Sequence, residues 1–180
     1  MVKFETGDII FVSGKSLFKN AIAWFETGPG EEKTYAKHIA GMKTNNIVIE
    51  ALTNVKETNS NNWIQKHKKF EVWRYKKLTE ENKVKIFNYL DDKKGSIYGG
   101  WKLFFFAGDF LLSKIFRHDN FYLFRRVLFM ENFPICSWLY AYAYDIIGYR
   151  FDGKNPNSLD PDTMHDIVKV DKNWEMIYKK

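Results

Sequence analysis

The segment Phe133-Pro134-Ile135-Cys136-Ser137-Trp138-Leu139 carries the only cysteine in 180 residues and sets it where a helix should begin. Pro134 cannot sit inside a helix but is at home just before one or in its first turn. From Ser137 onward, Trp138, Leu139, Ala141, Tyr142 and Ile146 recur at roughly helical spacing. Gly148 is a natural stop. The spacing predicts a buried helix with Cys136 at its N-terminus. Free backbone N–H groups and the positive end of the helix dipole then favour thiolate over thiol. The competing reading is a small buried hydrophobe, the commoner fate of a lone cysteine among aromatics. Residues far upstream bear on that choice.

Gly7-Asp8 ahead of Ile9-Ile10-Phe11-Val12 reads as a turn feeding a short buried strand. Ser16 before Leu17, Phe18, Ala21, Ile22, Trp24 and Phe25 reads as a capped helix. Thr27-Gly28-Pro29-Gly30 is a loop. Residues 38–43 and 47–52 read as a hairpin across Thr44-Asn45-Asn46. Residues 53–62 are polar and read as a loop. Phe70-Glu71-Val72-Trp73-Arg74-Tyr75 is a strand candidate, as is Trp174-Glu175-Met176-Ile177-Tyr178. Thr79-Glu80-Glu81-Asn82 and Asp160-Pro161-Asp162-Thr163 each open a helix.

Composition bounds the class. With 45% apolar residues the chain can build a substantial core, and 180 residues are most simply one domain, 1–180. One cysteine allows no internal disulfide. The N-terminus has no apolar signal core, and no run of about 18 apolar residues offers a spanning helix. A cytoplasmic protein is expected on that basis. The net charge of +6 favours anionic surfaces without saying which, so peripheral contact with a membrane stays open. Residues 101–130, with Phe104, Phe105, Phe106, Phe110 and Phe121, read as an aromatic-rich helical insertion. Most of those rings suit a core; some could roof an apolar groove.

A cysteine nucleophile needs a base within hydrogen-bond reach and a polar group to orient that base. The candidates are Cys136, His38 and Glu50. A carboxylate inside the apolar strand Ile47-Val48-Ile49-Glu50-Ala51 is costly unless it has a partner. Gly7-Asp8-Ile9-Ile10-Phe11, His38-Ile39-Ala40-Gly41, Val48-Ile49-Glu50-Ala51, Cys136-Ser137 and Leu159-Asp160-Pro161-Asp162 stand in the order seen in the circularly permuted papain-like cysteine amidases and peptidases. The chain resembles that NlpC-related, YiiX-like group, which is itself related to the lecithin:retinol acyltransferases. The resemblance spans nearly the whole chain and is weakest over 53–130. It implies an α+β fold, with an antiparallel sheet or small barrel packed on the cysteine helix. It also implies a cysteine-dependent hydrolase that cleaves an amide through a thioester. Cys136 would be nucleophile, His38 base then acid, and Glu50 the orienting group. No cofactor is implied. Lys37 stands where members often have a small hydroxyl residue, and Trp138 where many have an acid; both departures bear on specificity. Tyr98, Trp138, Phe104 and Phe105 are candidate substrate contacts.

The hairpin supplies a geometric test, because residues on one face of a strand alternate. A two-residue turn at Asn45-Asn46 would pair Lys43 with Val48 and send Glu50 to the face opposite His38. A three-residue loop would pair Lys43 with Ile47 and Ala40 with Glu50, making His38 and Glu50 diagonal neighbours. The triad requires the second. Other readings remain. A lipid thioesterase or acyltransferase could use the same residues, and peptidoglycan-like or lipid amides are candidate substrates. Lys66-His67-Lys68-Lys69, interleaved with Trp63, Trp73 and Tyr75, could serve nucleic acid. An inactive binding module is the third. The four histidines show no metal-ligand spacing; His67 reads as solvated and His165 as lying on a surface helix.

Overall fold

A computed structural model describes residues 3–13, 35–52, 54–96 and 136–180. Within them lie six strands, β1 (Ile9–Ser13), β2 (His38–Thr44), β3 (Ile47–Ala51), β4 (Val55–Asn59), β5 (Lys69–Tyr75) and β6 (Trp174–Lys179). The α-helices among the described residues are α1 (Ser60–Lys66), α2 (Glu80–Lys93), α3 (Cys136–Asp145) and α4 (Pro161–Val170). The strands form one antiparallel sheet in the order β4-β3-β2-β1-β5-β6, which leaves it open with β4 and β6 at the edges. The fold is α+β. The insertion expected at 101–130 lies outside the described residues. No helix among the described residues is long and apolar enough to cross a membrane.

The central strands are apolar on both faces because both faces are covered. Ile9, Phe11, Ile39 and Ile49 join Leu139, Tyr140, Ala143 and Tyr144 of α3 and Met164 and Val168 of α4 in one core. Ile10, Val12, Ala40, Met42, Val48 and Val72 point the other way and pack with Trp63 of α1 and Phe70. Strands buried on both sides lose the polar alternation that would mark a sheet facing water.

Helix starts follow their caps. The Thr79 hydroxyl accepts the Asn82 N–H at 3.2 Å to open α2. Asp160 accepts the Thr163 N–H at 2.8 Å ahead of Pro161, the first residue of α4. The polar stretch read as a loop over 53–62 is instead β4 running into α1. Val55 is the buried residue of an otherwise polar edge strand, and the Asn59 side chain caps α1 by accepting the Asn61 N–H at 3.0 Å. Edge strands are normally polar, which is what hid this one.

The β2–β3 connection also corrects the expected register. Ala40 does pair with Glu50 and Gly41 with Ile49, but Thr44, not Lys43, pairs with Ile47. Asn45-Asn46 make a two-residue turn, and the odd residue is a bulge at Lys43. Lys43 is 4% exposed, with its ammonium paired to Glu57 of β4 and Asp91 of α2. The bulged Lys43 is the extra residue that a three-residue loop would have supplied.

Candidate active site

α3 lies along β2. Gly41 permits the contact: a Cβ there would meet Tyr140 Cε1 at 2.5 Å and the Asp8 carbonyl at 2.7 Å. One turn on, the Tyr144 hydroxyl donates to the Gly7 carbonyl at 2.6 Å. Gly7 itself holds φ +92°, a conformation that side chains rarely adopt. With Tyr140 against Gly41 and Tyr144 at Gly7, the first residue of α3 comes level with the start of β2. That residue is Cys136, and β2 starts with His38.

His38 and Glu50 share the sheet face of Ala40 and Val48. Their contact is a hydrogen bond of 3.0 Å between His38 Nε2 and Glu50 Oε2, and both side chains are almost fully buried. Cys136 is 3% exposed and is the second hydrogen-bond partner of the His38 ring. Burial alone would push the imidazole toward its neutral form. The hydrogen bonds to Cys136 and Glu50 and the charges of both outweigh it and raise the His38 pKa to about 9. Burial pushes the Glu50 carboxyl up in turn, but His38, Lys56 and the Trp63 indole hold it below its usual range. Lys56 pairs with Glu50 across β3 and β4, its Nζ 3.8 Å from Glu50 Oε1.

The surrounding frame is built from hydrogen bonds that pattern reading alone does not reveal. Ser137 Oγ donates to the Leu159 carbonyl at 2.7 Å, tying the start of α3 to the segment before α4. The Tyr140 hydroxyl donates to the Ile49 carbonyl at 2.7 Å, beside Glu50. Asp162 Oδ1 accepts the N–H groups of Tyr35 and Ala36 at 3.0 and 3.1 Å, steering the chain into β2 and His38. Asp8 is buried and takes a two-pronged contact from Arg74, Nε to Oδ1 and a terminal nitrogen to Oδ2, each 2.7 Å. Asp8 and Asp162 thus brace the chain ahead of β1 and ahead of β2 through hydrogen bonds.

Two sequence expectations fail. His165 does not lie on an exposed helix face: it is 2% exposed, and its Nε2 meets Glu71 Oε2 at 2.8 Å. Glu71 also accepts from Trp73 Nε1 at 3.1 Å and from Lys179 Nζ at 2.7 Å, while Tyr35 stacks on the imidazole. A carboxylate in the middle of β5 was the available signal for this second buried pair. His67 is not simply solvated but stacks on Trp63 with ring centroids 3.9 Å apart. Trp63 and Trp73 are themselves 1% and 9% exposed, so neither offers a face for base stacking. Trp138 is half-buried on α3, whereas Tyr98, Phe104 and Phe105 lie outside the described residues.

Comparison with solved structures finds a likeness to metalloprotein YiiX from Escherichia coli O157:H7, described as DUF1105. The match covers 99% of this chain and 98% of that one, with a TM-score of 0.61 and 19% sequence identity. At that identity the likeness is one of fold. No protein-family model and no curated protein matches the sequence.

Proposed function

We propose that this chain is a cysteine-dependent acyl-transfer enzyme, an amide hydrolase whose nucleophile is Cys136, whose base and acid is His38 and whose orienting group is Glu50. The observation that carries the reading is the position of the His38 ring, between a buried carboxylate at 3.0 Å and the one sulfhydryl of the chain. Glu50 takes Nε2, so the carboxylate orients the ring that exchanges the proton with the sulfur.

The reaction proceeds in two halves. His38 takes the Cys136 proton, and the thiolate attacks the substrate carbonyl carbon, forming a C–S bond and an oxyanion. The first N–H groups of α3 have no acceptor inside the helix and are suited to that oxyanion, that of Cys136 first among them. Collapse expels the amine, which leaves with the proton from His38. Water then adds to the thioester, giving its proton to His38, and the acid departs as the thiolate reforms. Glu50 stabilises the imidazolium present in each half.

The similar structure is described as that of a metalloprotein. Among the described residues of this chain, no group of three or more His, Cys, Asp or Glu side chains is placed to hold a metal ion, and no step here uses one. A lipid ester or thioester is the second substrate class, favoured by the aromatic run at 101–130.

A thiol-directed activity probe tests the reading, with wild type set against Cys136→Ala and His38→Ala. Wild type should label at one site, Cys136→Ala not at all, and His38→Ala at least 10-fold more slowly, given the ~10²–10⁴-fold usual for a positioned base. Equal labelling of wild type and His38→Ala would overturn it. Hydrolysis of matched N-acyl and thioester substrates by the wild type then separates the two substrate classes.

A further inference from the structure

We infer that Tyr140 is a positioning residue for the proposed reaction: its hydroxyl, bonded to the Ile49 carbonyl, fixes the helix that carries Cys136 against the strand that carries Glu50. The inference rests on the Cys136–His38–Glu50 reading and adds one residue to it.

Tyr140 stands four residues after Cys136, one helical turn along the same face of α3. Its ring lies on Gly41 of β2, where an added Cβ would come 2.8 Å from Cζ, the carbon that bears the hydroxyl. Gly41 and Ile49 are register partners on β2 and β3. The ring therefore crosses one strand and its hydroxyl reaches the next, donating to the Ile49 carbonyl at 2.7 Å. Glu50 is the following residue. These contacts close a loop. It runs from sulfur to imidazole, from imidazole to carboxylate at 3.0 Å, back along the chain to Ile49, across the Tyr140 bond, and up one helical turn to the sulfur. The hydroxyl supplies the link that is neither backbone nor triad. Tyr140 is fully buried, and a buried hydroxyl deprived of its acceptor is costly, so α3 cannot slide along β3 without penalty. Burial, with Glu50, Tyr144 and Cys136 close by, raises the phenol well above its ordinary range. It stays protonated while His38 and Cys136 exchange a proton. The other hydroxyls of α3 go elsewhere: Tyr144 donates to the Gly7 carbonyl at 2.6 Å, and Tyr142 to Asn157 Oδ1 at 2.8 Å.

The test is the rate at which a thiol-directed probe labels Cys136, followed with pH, in wild type, Tyr140→Phe, Tyr142→Phe and His38→Ala, beside urea unfolding of each. Phe keeps the ring and loses the hydroxyl. Tyr140→Phe should label about 5-fold more slowly, the factor equivalent to one ordinary hydrogen bond, and its pH midpoint should move up toward the ~8.5 of a free cysteine. Tyr142→Phe should label at the wild-type rate. A merely structural hydroxyl would lower stability and leave labelling of the folded protein unchanged. That result for Tyr140→Phe, with His38→Ala still slow, overturns this inference and leaves the triad reading standing. Equal slowing in Tyr140→Phe and Tyr142→Phe overturns it too, as a general loosening of α3. Equal labelling of wild type and His38→Ala overturns both readings. Should Tyr140→Phe not fold, Gly41→Ala displaces the same ring: slower labelling supports the inference, and a folded Gly41→Ala that labels at the wild-type rate overturns it.

Discussion

At Gly41 a single methyl group would lie 2.5 Å from the Tyr140 ring and 2.7 Å from the Asp8 carbonyl, a backbone atom that cannot swing aside. Gly41→Ala should therefore push α3 off β2 and cost about 1–3 kcal/mol in chemical denaturation. It should also slow Cys136 labelling, because the contact it breaks sets the level of the sulfur. The His38 charge adds a pH dependence. Its folded pKa is raised to about 9 from 6.5, so the stabilisation it contributes is fully present below about pH 6.5 and is lost as pH rises through about 9. The advantage of wild type over His38→Gln in urea unfolding should shrink across that window. At this scale the site was legible: a cysteine at a helix start, a histidine and a carboxylate in an apolar hairpin. The frame around it was not, because the Ser137 hydroxyl reaches the Leu159 carbonyl and the Tyr140 hydroxyl the Ile49 carbonyl only once the chain has folded.

Among the elements, α4 depends on a contact that helical periodicity does not show. Its His165 is locked to Glu71, and the Lys179, His165 and Trp73 hydrogen bonds outweigh burial to bring the Glu71 carboxyl down to about 2. A depressed carboxylate stabilises above its unfolded pKa, near 4.5, and that contribution disappears as pH falls toward about 2. Glu71→Ala should cost about 3 kcal/mol by leaving a buried partner unpaired. It should also remove much of the acid-induced loss seen in wild type, as measured by denaturation at a series of pH values. The β2–β3 hairpin makes a similar point. The need for an odd connection was readable from His38 and Glu50, but its form, a bulge held by Lys43, Glu57 and Asp91, required contacts from β4 and α2.

Across the whole molecule the sheet separates two cores, one under α3 and α4 and one against α1. Ile39 faces the first and Met42 the second, on the same strand. Because one sheet serves both, the described parts should unfold together. Ile39→Ala and Met42→Ala should each cost about 2–5 kcal/mol and shift tryptophan fluorescence and far-ultraviolet circular dichroism by the same amount. The α+β class that the resemblance implied holds, and most of the strands and capped helices read along the described chain are in place. β4 escaped because an edge strand with one apolar anchor has the composition of a loop.

The direct trial is the ultraviolet absorbance of the thiolate, followed with pH in wild type and in His38→Ala. One cysteine makes the signal unambiguous. Paired with a protonated imidazole, the wild-type sulfur should stay ionised well below about pH 8.5, where a free cysteine titrates, and His38→Ala should return it to that value or above. A wild-type sulfur that titrates at or above about 8.5, unchanged by loss of the imidazole, would contradict the activated pair and the enzyme built on it.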